Sequence, residues 1–85
     1  MVTKVVFRKW ANGDVIALFP NTGDRRNYMV SSYEHIGQHS DADYNEVVNA
    51  TRLANANEYA ELLAELKSIG YKNIRVCKRA KVEYN

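Results

Sequence analysis

Two histidines four residues apart, His35 and His39, stand in the run YMVSSYEHIGQHSDADY from Tyr28 to Tyr44, among three tyrosines, Gln38, Ser40 and the acids Glu34, Asp41 and Asp43. On a helix that spacing would set two imidazoles on one face as zinc ligands. A histidine oriented by a carboxylate is also a candidate general base, because it titrates near neutrality. Neither chemistry is supported further. The pair straddles Gly37, none of Asp41, Asp43 and Cys77 stands at a recognised ligand spacing, and no serine or cysteine has the context of a nucleophile. Glycines are few and form no phosphate-binding loop or dinucleotide fingerprint. No catalytic residue, metal or cofactor is therefore assigned, and binding is expected rather than catalysis.

A second constellation is aromatic and basic. Arg8, Trp10, Arg25, Arg26, Tyr28 and Tyr33, with His35, Gln38, His39 and Ser40, suit a ligand that has both a stackable ring and a phosphate. Backbone N–H groups at a helix start near Ser40 would favour the same anion. That description fits a nucleotide, a cyclic nucleotide or a single strand. It fits a tyrosine-rich protein interface equally well. Arg75, Lys78, Arg79 and Lys81 add a basic end to the chain, with Glu83 its only acid, and serve either as a phosphate patch or as a solvated edge.

The elements that position these residues follow from periodicity. Lys4 to Pro20 reads as a hairpin, KVVFRKW, ANGD, VIALFP. A two-residue turn at Asn12 and Gly13 would pair Trp10 with Val15, Arg8 with Ala17 and Phe7 with Leu18. Val5, Phe7, Ile16 and Leu18 then share an aliphatic face, and Val6, Arg8, Trp10, Ala17 and Phe19 the ligand-facing or subunit-facing side. PNTGDRRN is a loop in which Pro20 ends the strand and Gly23 supplies the turn. Tyr28 to Ile36 alternates as a third strand, with Tyr28, Val30, Ser32 and Ile36 opposite Met29, Ser31, Tyr33 and His35, bringing Tyr33, His35 and Gln38 towards Arg8 and Trp10. Ser40 and Asp43 resemble a capping box before a short helix from about Asp41 to Ala50. Asn55 and Glu58 cap a second helix, Ala56 to Ile69, whose Tyr59, Leu62, Leu63, Leu66 and Ile69 form an apolar stripe meant for the aliphatic face, with Gly70 as its C′ residue. Lys72 to Arg79 returns as a strand, and the KVEYN end is expected to fray.

The expected fold is α+β, a small antiparallel sheet of three to four strands with one amphipathic helix and a second short one, in a single domain over residues 1–85. At 46% apolar and 26% charged, with one proline, the chain is ordered and globular. A lone Cys77 excludes an internal disulfide. The absence of a signal peptide or an apolar run of membrane length implies no membrane and a cytoplasmic setting. A net charge of only +2 argues against a broad nucleic-acid footprint. So short a chain, with an apolar hairpin face to cover, is expected to form a homo-oligomer.

The blocks FRKWANGDVIALFP, SYEHIGQHSDADY and EYAELLAELKSIGY together resemble a widespread group of small proteins encoded by phages, prophages and other bacterial mobile elements. The resemblance implies a bacterial host cell and, by analogy with other phage accessory proteins, counter-defence. The leading expectation is a sponge for a nucleotide-derived signal. The alternatives are an anti-CRISPR-like inhibitor of a host defence protein and a nucleic-acid-binding accessory protein.

Overall fold

Trp10 and Asp14 close the first hairpin: the Trp10 N–H donates to the Asp14 carbonyl at 2.8 Å, and Gly13 N–H returns to the Trp10 carbonyl at 2.9 Å. The loop is therefore Ala11, Asn12 and Gly13, with Gly13 alone at positive φ (+99°), the three-residue geometry that ends in a glycine bulge. A two-residue turn would need positive φ at Asn12 as well, and among the described non-glycine residues only Tyr28 and Asn73 have it. Asn12 instead accepts the Asp14 N–H through its side chain at 2.9 Å. The computed structural model describes residues 2–35 and 37–84. Ile36, expected on a face of the third strand, lies outside the described residues.

The extra loop residue shifts the register by one. Strands β1 (Thr3–Lys9) and β2 (Val15–Asp24) pair Val6 with Leu18, Phe7 with Ala17, Arg8 with Ile16 and Lys9 with Val15. A one-residue slip moves every β2 side chain to the other face. Val5, Phe7, Ala17 and Phe19 thus share one side with Tyr33, and Val6, Ile16 and Leu18 share the other with Val30. The expected aliphatic and aromatic faces do not exist as such, because each is a mixture.

β2 also runs through the stretch expected to be a loop. Pro20 is buried inside it, with a break in register between Phe19 and Asp24, where a strand tolerates proline. The turn falls later, at 25–28, held by Tyr28 N–H to the Asp24 carbonyl at 2.6 Å. β3 (Met29–Glu34) follows as expected, and then β4 (Gln38–Ala42), where no strand was foreseen. Ser40 lies within β4. The N-cap of α1 (Tyr44–Ala50) is instead Asp43, whose side chain accepts the Glu46 N–H.

A two-residue β5 (Arg52–Leu53) leads to α2 (Ala56–Ser68). Its ends match the sequence pattern. Asn55 and Glu58 exchange reciprocal capping hydrogen bonds at 3.0 Å. At the other end Tyr71 N–H reaches the Leu66 carbonyl and Gly70 N–H the Lys67 carbonyl, a Schellman closure with Gly70 at φ +115°. β6 (Ile74–Cys77) completes a six-stranded sheet ordered β4, β3, β2, β1, β5, with β6 parallel to β1 and sharing that last position with β5.

Both faces are covered. α2 buries Leu62 and Leu66 against Val5, Phe7, Phe19 and Tyr33, with Tyr59 stacked on Phe7 at 4.5 Å between ring centroids. α1 buries Tyr44 and Val47 against Val6, Leu18 and Val30. Residues 80–84 finish that second layer rather than fraying, Asn85 lying outside the described residues: Ala80 and Val82 pack there, Ala80 N–H donates to the Tyr44 hydroxyl at 3.2 Å, and Glu83 N–H to the Pro20 carbonyl at 2.9 Å. Gly23 makes room for this strap. A Cβ on it would lie 2.7 Å from the Tyr84 ring and closer still to the Glu83 carbonyl, so this glycine serves close approach rather than a turn. Among the described residues no apolar face of the hairpin is left bare.

Candidate functional site

The ten residues expected to meet a ligand stand in three places. Arg8 and Trp10 are under α1. The Arg8 guanidinium donates to the carbonyls of Val48 and Thr51 at 3.0 and 2.7 Å and to Thr51 Oγ1 at 3.0 Å, so it satisfies the orphan carbonyls of a helix whose last turn has no basic residue of its own. Trp10 is half-buried, and its indole N–H is buried without a partner among the described residues.

Arg25, Arg26 and Tyr28 sit at the far tip, on the β2–β3 turn. Arg26 is paired with Asp24 at 2.8 Å, and that hydrogen bond holds the carboxyl below, and the guanidinium above, their ordinary pKa values. Tyr28 is 63% exposed and meets the edge of Tyr84.

Tyr33, His35, Gln38, His39 and Ser40 belong to the β3–β4 hairpin. Tyr33 faces α2, on the opposite side of the sheet from Arg8 and Trp10, so the expected convergence does not occur. Its phenol donates to Glu65 of α2 and accepts the Gly37 N–H at 2.8 Å; the Glu65 carboxylate beside it raises its pKa. His35 Nδ1 stands 2.8 Å from the other Glu65 oxygen. His39 packs edge-on against Tyr33, with its Nε2 3.1 Å from the Tyr71 hydroxyl, and Tyr71 stacks on Phe19. His35 thus anchors the hairpin to α2, and His39 ties it to Tyr71 just beyond that helix. Among the described residues no group of three or more metal-ligating side chains occurs. Gln38 and Ser40 are exposed on β4, the Ser40 carbonyl accepting from buried Ser32 Oγ at 3.1 Å.

Two recesses flank β5 and contain nearly none of these residues. One, of about 460 Å³, is bordered by Lys9, Trp10, Asn12, Thr51 and Arg52. Its cations are already spent: Lys9 Nζ is 2.6 Å and Arg52 Nη1 2.8 Å from the Glu58 carboxylate, which these bonds, Arg52 first, hold well below the usual carboxylate range. The other, of about 450 Å³, opens between β5 and β6, which pair with successive stretches of the same edge of β1. Phe7, Tyr59, Leu53 and Val76 wall it, with Asn55, Cys77 and Lys78 on its border. Lys78 has no ion pair among the described residues, and Asn55 uses only its oxygen in capping, leaving its amide NH₂ for a ligand. None of the ten residues lines this cleft. Phe7 and Tyr59 read in the sequence as ordinary core partners, which they also are: Phe7 is buried at the floor of the cleft, and half-buried Tyr59 carries its accessible ring surface.

The chain matches no family model, no curated protein and no solved structure. No helix among the described residues is long and apolar enough to cross a membrane.

Proposed function

We propose that the chain is a non-enzymatic binding protein that sequesters a small nucleotide-derived molecule in the cleft between α2 and β6. The observation that carries this reading is the pairing, in one cleft of about 450 Å³, of the Phe7–Tyr59 wall with an unpaired cation, Lys78. The volume is that of a small-molecule site. Ring surface suits a nucleobase, worth on the order of 1–3 kcal/mol for each base stacked on an aromatic. Lys78 suits a phosphate through a charge-assisted hydrogen bond. The Asn55 amide is placed to read a base edge or a ribose hydroxyl. The resemblance to small phage and mobile-element proteins supplies the setting: a sponge that lowers the free concentration of a host defence signal.

Calorimetry against cyclic dinucleotides, cyclic oligonucleotides and ADP-ribose derivatives tests this. At least one class should bind and be recovered unchanged after the complex is heated. Tyr59→Ala and Lys78→Glu should each weaken that binding by tenfold or more, about 1.4 kcal/mol, while Arg26→Ala leaves it intact. Silence across the panel, or binding indifferent to both cleft variants, overturns the reading and leaves a host protein as the partner to seek. Turnover of the ligand would move the chain to the enzymes.

A further inference from the structure

We propose that β4 is a self-complementary edge through which two copies of this chain pair, antiparallel about a two-fold axis at Ser40, setting His39 of each copy against Asp41 of the other. β4 is the outermost strand on one side of the sheet, and Gln38, His39, Ser40 and Asp41 are all exposed. An open edge is a template for another strand unless something blunts it. The opposite edge is blunted by brevity and charge: β5 has two residues, and β6 carries Arg75 and runs into Lys78 and Arg79. β4 has no lysine, no proline and no register shift against β3.

Backbone polarity fits the pairing. The Ser40 carbonyl faces inward to Ser32, and the His39 N–H turns to the Gly37 carbonyl at 3.2 Å rather than across the ladder. Alternation then leaves the C=O of His39 and the N–H and C=O of Asp41 on the open side, where an antiparallel pairing centred on Ser40 makes them partners, the His39 N–H exchanging the Gly37 carbonyl for that of the partner's Asp41. Side chains agree with the backbone. His39 and Asp41 lie opposite Tyr33 and Ser31 on the α2 face, so in the dimer each histidine faces a carboxylate directly across the strands. Nε2 of His39 is engaged with Tyr71, and Nδ1 remains for the partner's Asp41. Ile69, 49% exposed, and Tyr71 border His39 on the same face and extend the contact beyond the strand. In the other registers that keep faces aligned, the histidine no longer meets the aspartate on both sides of the axis.

This interface is independent of the ligand cleft, which lies at the opposite edge of the sheet. Sedimentation equilibrium of the full chain should report a dimer. Asp41→Lys, which sets a cation against each histidine, should raise the dissociation constant by more than about tenfold, and His39→Asp should do the same with like carboxylates. Mixing the two variants should restore a dimer, since one cross-strand contact again joins His39 to a carboxylate and the other joins a lysine to a carboxylate. Ser40→Cys, on the axis, should form an intermolecular disulfide on mild oxidation, and the same change at Thr22 should not. A monomer up to millimolar concentration overturns the proposal. So does a dimer untouched by Asp41→Lys and without the position-40 cross-link, which would place the contact elsewhere.

Discussion

The Arg8 guanidinium holds Thr51 at two points, the hydroxyl at 3.0 Å and the carbonyl at 2.7 Å, and so ties the end of α1 to the middle of the sheet. Arg8→Ala is therefore a folding variant. It should cost about 2–3 kcal/mol, the range for hydrogen bonds from a charged group, as the shift of the urea midpoint at constant slope. Arg8→Lys should recover only part of this, because an ammonium cannot reproduce the fork that spans Val48 and Thr51. Ligand affinity at the α2–β6 cleft should not change in the folded fraction.

Gly23 and the strap of residues 81–84 should behave as one unit. Gly23→Ala places a methyl group into the Glu83–Tyr84 backbone and ring, so the strap must lift. The expected loss is about 1–3 kcal/mol, the usual cost of overpacking. Truncation after Ala80 should cost a similar amount, and the two changes together should cost much less than their sum, measured by a double-mutant cycle in urea.

Glu58 sets an acid limit to stability. Its folded pKa is depressed, chiefly by Arg52, then by the Asn55 N–H and Lys9. A group of this kind stabilises the fold fully above its unfolded pKa, about 4.3 for glutamate, and the stabilisation is lost as pH falls through the lower folded value. Denaturation midpoints should therefore fall steadily from pH 5 to pH 2. Glu58→Gln, which keeps a capping amide but no charge, should be less stable at pH 7, and its deficit against the parent chain should shrink as pH falls from 5 to 2.

Tyr33→Phe should loosen the β3–β4 hairpin without unfolding the sheet. The hydroxyl links Glu65 to the Gly37 N–H, and its removal leaves the ring in place. We expect a loss of about 1–2 kcal/mol and faster hydrogen exchange at Gly37, with the β1–β2 amides unchanged.

The parts of this fold that could be read in the sequence are those whose signals are local. Asn55, Glu58 and Gly70 fixed both ends of α2 because each cap bonds within a few residues of itself. Asn12–Gly13 misled for the opposite reason: two turn geometries accept the same pair, and choosing the shorter one inverted every side chain of β2. β4 was invisible because QHSDA has no apolar face, an edge strand being asked to bury almost nothing. The structural partners of Arg8 and Tyr33 were not legible because Thr51 and Glu65 lie 43 and 32 residues away in sequence.

The parallel pairing of β1 with β6 joins Thr3–Val6 to Ile74–Cys77, so β1 cannot complete its pairing until β6 has been made. On a ribosome the chain can form the β1–β2 hairpin and the helix caps early, but the β6 side of β1 stays open until residue 77 has left the exit tunnel. That edge includes Val5 and Val6, both fully buried in the finished fold. Nascent chains thus carry an unpaired strand edge from the making of β1 to that of β6, and contacts of such sequence separation are slow to close. A chain released before β6 is made would leave that edge of β1 open, an unpaired strand edge of the kind that templates aggregation.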